Sequence, residues 1–425
     1  MPHPHLKEAQ RNRVDWLLQA TYTAWRMFTK NQLQNHAAAT AFYFLLSAAP
    51  LVLLLTYAAQ FLAKLAENSV PAVFLLAALY DQFKLDQLAA LGVIPKSALV
   101  SAGGVSLLTL ALSSRGLLSA LNGAFNVIFP GEAKRHFAVN WALPLLIIPV
   151  VFAVVLLAIT LQATLSWMVQ AELLGVGLSR ALKTVNTGFA LTAVWGLIYL
   201  AFRRLPLAPQ PKRESAIVSG LAVLTLAVLF LGFDLFFKVE KYQAVYGALG
   251  GVVFILIGSY FASLAFYFWA QFLFALGKVD VAALERLFLS GEGQGASRLE
   301  AIVFARANRL LAKYGRSFGA GEDLIVEGDQ GKEAIFVYAG RVGVYKRLAD
   351  GERKLVELEE GSLIGEMAHI LDEARTATVR AETEVTALVL PPAMLEELMR
   401  YSAPLSRRII ASLAERLMRM NRAQQ

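Results

Sequence analysis

Long uncharged apolar runs fill the first two-thirds of the chain. They lie between Lys30 and Lys64, Lys96 and Glu132, His136 and Glu172, Lys183 and Arg203, Glu214 and Lys238, and Lys241 and Lys278, and only Arg115 and Asp234 interrupt them. Each run supplies the ~20 residues that a helix needs to cross a bilayer, so the pattern predicts six transmembrane helices. Residues 70–95 carry Asp81, Lys84 and Asp86 and read as an interfacial or re-entrant segment. Ahead of the first run, residues 6–34 alternate Trp16, Leu17, Tyr22, Trp25 and Met27 with Lys7, Arg11, Arg13, Arg26 and Lys30. A basic, aromatic, amphipathic helix of this kind suits the membrane interface.

The pattern changes after Lys278. Residues 279–290 form a short amphipathic helix, and Gly291-Glu-Gly-Gln-Gly-Ala296 reads as a flexible linker. Residues 298–314 have helical periodicity. Short strands then alternate with Gly turns at Asp323–Glu327, Ala334–Tyr338, Arg341–Arg347, Lys354–Glu359, Thr376–Glu382 and Val385–Leu390. Residues 392–423 close the chain as helices, broken at Ala403-Pro404. The fold expected is an α-helical membrane bundle followed by a β-roll, or jelly roll, flanked by helices. Its divisions are an interfacial helix over 1–34, a six-span domain over 35–278, a helix and linker over 279–297, and the β-roll domain over 298–425.

Composition agrees with the membrane half. Hydrophobic residues make up 57% of the chain, charged residues 17%, and the mean hydropathy is +0.52. The net charge of +8 is unevenly placed: from Gly291 onward there are 19 Lys and Arg against 20 Asp and Glu, so the basic excess sits in the apolar part. Lys and Arg flanking membrane spans account for it without nucleic acid. The densest basic flank is Arg203, Arg204, Lys212 and Arg213. Placed inside, it puts both termini in the cytoplasm. The chain has no Cys, and its five His show no metal-ligand spacing.

The sharpest chemistry lies in Leu363–Ala381. Gly365-Glu366 opens a short helical turn, and Arg375-Thr376 follows at a nine-residue interval from the Glu. Backbone N–H groups at such a turn attract an anion, a guanidinium closes on a phosphate with its planar fork, and a carboxylate suits a ribose hydroxyl. Gly365, Glu366, Met367 and Ala368 with Arg375 and Thr376 resemble the phosphate-binding cassette of cyclic-nucleotide-binding domains, with Ala374 where that family usually has Pro. The resemblance implies cAMP or cGMP as a regulatory ligand held by these six residues. Gly328, Gly331 and Gly340-Arg341-Val342 match the family's other turns. His369, Asp372 and Glu373 read as solvated loop residues.

The apolar half carries polar stripes at helical spacing: His36, Thr40, Tyr43, Ser47 and Pro50; Arg115, Ser119, Asn122 and Asn126; and Tyr260, Ser263, Tyr267 and Gln271. Two readings stand side by side. The stripes either bond helix to helix or line a polar cavity, with Arg115, Asn122, Asn126, Asp234, Tyr43, Ser47 and Gln271 as its candidates and the charges Arg115 and Asp234 as functional by default. This half resembles the YihY/BrkB family of six-span inner-membrane proteins over residues 15–278. The resemblance rests on Ala37–Pro50, on Ser113-Ser-Arg-Gly116 with Leu121-Asn122-Gly-Ala-Phe-Asn126, on Arg204-Leu-Pro206, and on Tyr246-Gly-Ala-Leu-Gly250. At Trp269-Ala-Gln271 family members more often carry Gly-Ala-Glu. The resemblance implies that the membrane is a bacterial inner membrane.

Together these readings imply a membrane transport or lipid- and solute-handling protein, not an enzyme, regulated by cyclic nucleotide at its cytosolic end. The alternatives are the ribonuclease of the family's old label and a cyclic-nucleotide-gated channel. The first lacks a His/Asp/Glu cluster with acid–base or metal spacing, and the second lacks an Arg-rich sensor helix and a carbonyl filter. Leu405, Ile409, Leu413 and Leu417 recur at four-residue spacing, which suits either packing on the roll or a homo-oligomer.

Overall fold

The computed structural model describes residues 4–47, 102–131, 176–206, 208–236, 249–289, 302–304, 308–348, 351–402, 404–407, 409–411 and 414. They fall into two compact units. One contains residues 24–274, and the other contains residues 1–23 with 275–425.

The first unit is helical. After α1 (Pro4–Lys30), which the two units share, residues 33–47 are helical, followed by α2 (Ala102–Ile128), α3 (Val176–Arg204), α4 (Lys212–Phe236) and α5 (Leu249–Leu276). The first, second, fourth, fifth and sixth apolar runs thus all contain helix. The run between His136 and Glu172 and the segment 70–95 lie outside the described residues. Among the described residues, two helices are long and apolar enough to cross a membrane, Lys212–Phe233 and Val252–Leu276.

The aromatic centre of this unit joins α2, α3 and α5. Phe125, Phe202 and Phe266 meet at centroid distances of 5.3–6.5 Å. Polar groups on the helices are used to tie them together. Thr40 and Tyr267 share a hydrogen bond of 2.6 Å, Asn31 Nδ2 donates to Gln271 Oε1 at 2.9 Å, Trp269 Nε1 donates to Thr225 Oγ1 at 2.9 Å, and Trp195 Nε1 donates to the Ala216 carbonyl at 3.0 Å. Meanwhile Leu224, Val228, Phe230 and Leu231 of α4 are exposed and Ser215 and Ser219 are buried. On α4 that distribution of exposed apolar and buried polar side chains is the reverse of a water-soluble helix's, while the unit's centre stays apolar.

The second unit is a β-roll with helices on one side. Its elements are α6 (Val279–Leu289), α7 (Asn308–Tyr314), β1 (Gly315–Phe318), β2 (Asp323–Ile325), β3 (Ala334–Ala339), β4 (Val342–Leu348), β5 (Gly351–Leu358), β6 (Leu363–Ile364), α8 (Glu366–Ile370), β7 (Thr378–Ala381), β8 (Val385–Leu390) and α9 (Pro392–Tyr401). The strands form two antiparallel sheets, ordered β1-β8-β3-β6 and β2-β7-β4-β5. All six expected strands are present, and β1 and β6 are added to them.

Strand β3 shows why its sequence is almost wholly apolar. Successive side chains point to opposite faces. Ile335 and Val337 enter the roll interior with Ile325, Ile364 and Val379, whereas Ala334 and Phe336 face the helices. On that outer face Val281, Leu284 and Phe288 of α6 pack against Phe336, Leu388 and Leu390, with Leu395 and Leu398 of α9 and with Leu405 and Ile409. Phe288 and Phe336 have centroids 4.3 Å apart. Burying a Leu or Phe side chain contributes about 1.5–3 kcal/mol, so α6 is held firmly to the sheet. Leu413, Leu417 and the linker 291–297 lie outside the described residues.

Candidate functional site

Gly365 turns the chain from β6 into α8. Its φ of 77° is left-handed, and a Cβ there would lie 2.5 Å from Arg375 Nη1 and 3.0 Å from the Glu333 carbonyl. Only glycine accepts both the conformation and the crowding. Glu366, 2% exposed, begins α8, and Ala368 is buried one step further round the turn, with Met367 half-buried between them.

Arg375 comes back to this turn from the other end of the cassette. Its backbone is clamped to the Gly328 turn: Gly328 N–H donates to the Arg375 carbonyl at 2.9 Å, and Arg375 N–H donates to the Asp329 carbonyl at 2.8 Å. Its side chain, 7% exposed as a residue, donates from Nη1 to the Gly365 carbonyl and from Nη2 to the Glu333 carbonyl, both at 2.7 Å. Two of the guanidinium's five N–H groups serve these bonds. The Glu333 carboxylate stands 3.6 Å from Nη2. Burial lowers the Arg375 pKa from its ordinary value, against the opposing pull of Glu333, Asp329 and Glu366. A buried cation facing a half-exposed carboxylate is well placed to take an incoming anion.

A cavity of about 550 Å³ opens beside Arg375. Its walls include Ile335 and Val389 from the roll, Glu333, and Lys313, Tyr314 and Arg316 from the α7–β1 corner. That volume falls within the ~300–1,000 Å³ of small-molecule sites. Thr376 is exposed, and its carbonyl accepts a bond from Lys346 Nζ at 2.7 Å. Lys346 also reaches Glu327 Oε1 at 2.7 Å, tying the cassette's exit to the β2–β3 turn. His369 lies 3.5 Å from Glu396 of α9, and Asp372 pairs with Lys332.

The membrane candidates take several positions among the described residues. Tyr43 packs over Gly116, the neighbour in sequence of Arg115, so closely that a Cβ on Gly116 would collide with the ring. Ser47 donates to the Tyr43 carbonyl within its own helix at 2.8 Å. Gln271 is fully buried between Asn31 and Met27, with Nε2 3.6 Å from the Met27 sulfur. Arg115 and Asn126 are exposed and Asn122 is half-buried. Asp234 lies on α4, and its side chain is outside the described residues.

Sequence reasoning missed Glu333, Lys313, Tyr314 and Arg316. Each is a common surface residue at an element boundary, and nothing in local pattern marks it. Their proximity comes from strand β1 pairing with β8, a contact between Gly315 and Leu388 far apart in the chain.

Comparison with known proteins also divides the chain into two parts, with the first match running on through most of α6. Residues 24–286, more than half of the chain, match the family model of the virulence factor BrkB, and residues 315–402 match the cyclic nucleotide-binding domain. Over 69 residues the chain is 39% identical to the acetyltransferase Pat of Mycolicibacterium smegmatis, covering 16% of this chain and 21% of that protein. Similar solved structures include the EAL enzyme Bd1971 in its cAMP-bound form (28% identity, 26% of this chain and 29% of that one, TM-score 0.22). Another is the catabolite activator protein of Thermus thermophilus (24% identity, 32% and 59%, TM-score 0.26). The chain thus spans about a fifth of the curated relative's length and less than two-thirds of these two structures. The chain belongs to the BrkB family of membrane proteins and carries, after its family domain, a cyclic nucleotide-binding domain.

Proposed function

We propose that this protein moves a lipid or solute across, or within, a bacterial inner membrane, and that cAMP or cGMP in the β-roll sets its activity. In this reading the helical unit spans the bilayer six times with both termini in the cytoplasm, and Leu17, Leu18 and Trp25, exposed on α1, lie at the membrane interface. The single observation that carries the regulatory part is Arg375. It is buried, oriented by the Gly365 and Glu333 carbonyls, and open to a cavity of ligand size. Glu366 beside it supplies the carboxylate for a ribose hydroxyl. The transport part is supported by the family and by the exposed apolar side chains of α4.

Titration calorimetry on the full chain in detergent micelles, with cAMP and with cGMP, tests the ligand. Wild type is expected to bind at least one of them, and Arg375→Ala or Glu366→Ala to weaken binding at least tenfold. Absence of heat with both nucleotides overturns the regulatory reading. Reconstituted vesicles assayed for lipid scrambling and solute flux with and without the nucleotide test the rest, and rates unchanged by a nucleotide that binds would remove the coupling.

A further inference from the structure

Lys313 and Tyr314 end α7 and face in two directions. Both wall the cavity that opens beside Arg375. Both also hold Asp280 in the first turn of α6: Lys313 Nζ donates to Asp280 Oδ2 at 2.7 Å, and the Tyr314 hydroxyl donates to the same oxygen at 3.2 Å. Arg309 grips the other oxygen, Oδ1, at 2.6 Å and donates to Gln19 Oε1 of α1 at 3.5 Å. One carboxylate in α6 is therefore shared by two cations and a phenol, and two of those three groups belong to the ligand cavity.

The three holders differ in how easily they let go. Arg309 is 23% exposed in its side chain, and its Nη2 meets both Asp280 and Gln19. Lys313 is 58% exposed, on a flexible stem that carries a compact point charge. If Lys313 leaves, Arg309 and Tyr314 still hold Asp280, so its departure does not strand a charge. The cavity rewards that departure: Lys313, Arg316 and Arg375 are among its walls with the carboxylate of Glu333, and Asp329 and Glu366 act on Arg375 from nearby, so the three cations of the wall suit an anionic occupant.

We propose that Lys313 is shared between the ligand and α6: a cyclic nucleotide seated on Arg375 draws Lys313 away from Asp280 and loosens the hold of the roll on α6. This rests on the cyclic-nucleotide reading of the cavity. Only Gly277 and Lys278 separate α6 from α5 in the chain, so a change in how α6 is held is passed on covalently to an apolar helix of the family domain. Linkage makes the coupling reciprocal. Whatever weakens Asp280's claim on Lys313 must tighten nucleotide binding.

The test uses the full chain in detergent micelles, with calorimetric titration of cAMP and cGMP and hydrogen exchange of residues 279–289. The expected results are threefold to tenfold tighter binding in Asp280→Asn, threefold to tenfold weaker binding in Lys313→Met, and faster exchange in 279–289 when wild type binds nucleotide. Lys313→Met should lose that nucleotide-dependent exchange. Tyr314→Phe, which keeps the lysine, is expected to retain it and serves as the variant least disturbing to the fold. A purely structural Asp280 would give destabilised protein with unchanged affinity. Wild-type affinity in Asp280→Asn, or exchange in 279–289 indifferent to a nucleotide that binds and depends on Arg375, overturns the sharing of Lys313 and leaves the ligand site standing. Failure of wild type to bind either nucleotide overturns both.

Discussion

The two units of this protein both bury apolar side chains, but they differ in what α4 exposes and in the polar attachments they use. In the helical unit the large apolar side chains of α4 lie outside and serines lie inside, and the helix-to-helix bonds named above join neutral groups, Thr40 to Tyr267, Asn31 to Gln271 and Trp269 to Thr225. In the roll unit the apolar side chains lie inside, and the outer attachments are ionic: Asp280 to Arg309 and Lys313, Arg380 to Asp323 and Glu352, Lys354 to Glu357 and Glu382. The difference follows from the solvent. Hydrocarbon cannot hydrogen-bond, so polar groups in it must pair internally, and unpaired charge there is expensive. Water tolerates charge and drives apolar groups inward.

The largest effect expected is in the roll. Gly365→Ala places a Cβ at a φ of 77° within 2.5 Å of Arg375 Nη1 and 2.9 Å of Ile325 Cδ1. Backbone strain and overpacking together should cost about 2–4 kcal/mol and push Arg375 off its carbonyl partners. Cyclic-nucleotide affinity should fall by more than tenfold, with a lowered melting temperature for the roll. Retained affinity would mean that Arg375 is not positioned through Gly365.

The exposed apolar face of α4 is tested by one substitution made twice. Leu224 on α4 is 61% exposed and Leu355 on β5 is 57% exposed. By exposure alone the two are equivalent. If α4 faces lipid, Leu224→Lys should cost roughly 2.5–3.5 kcal/mol of insertion free energy near a helix centre, read as lost membrane integration, while Leu355→Lys should stay within about 0.5 kcal/mol of wild type. Equal tolerance at both sites would place α4 in water and dissolve the comparison.

What could be read from the sequence follows the same division. In the roll, all six expected strands are present because β-branched and apolar residues are bounded by turn residues, as with Gly328, Gly340 and Gly361; β7 and β8 bury most of their residues, whereas β5 is exposed along nearly its whole length. The cassette was legible because its residues are close in sequence. Strands β1 and β6 escaped, the first because Gly-Arg-Ser-Phe carries almost no apolar pattern, the second because two residues carry no period at all. The wall of the cavity at Lys313, Tyr314 and Glu333 was illegible because it is built by strand pairing over long sequence separations. In the helical unit the apolar runs were plain, yet the polar stripes were ambiguous. Geometry shows Thr40, Tyr267 and Gln271 of those stripes engaged between helices, a role that periodicity cannot tell apart from lining a cavity.

The smallest effect concerns acid. In the roll unit Asp280 is held below the usual carboxylate range: burial pushes it up, but Lys313, Arg309 and Tyr314 together outweigh burial. Glu327 is lowered by Lys346 and the Arg347 N–H, Glu382 by Lys354 and Tyr345, and Asp372 by Lys332. A carboxyl whose folded pKa is depressed adds stability that is fully present above its unfolded value, 3.8 for Asp and 4.5 for Glu, and is lost as pH falls through the folded value. The roll should therefore be indifferent to pH from about 9 down to about 5 and should loosen below about 4. The amide, hydroxyl and indole bonds of the helical unit gain no proton in that range. Hydrogen exchange followed peptide by peptide in detergent micelles should show residues 315–402 opening in acid while α4 and α5 stay protected, and Asp280→Asn should remove part of the acid response from residues 279–289 and 308–314. Simultaneous opening of both units would show that ionic and neutral attachments do not separate them.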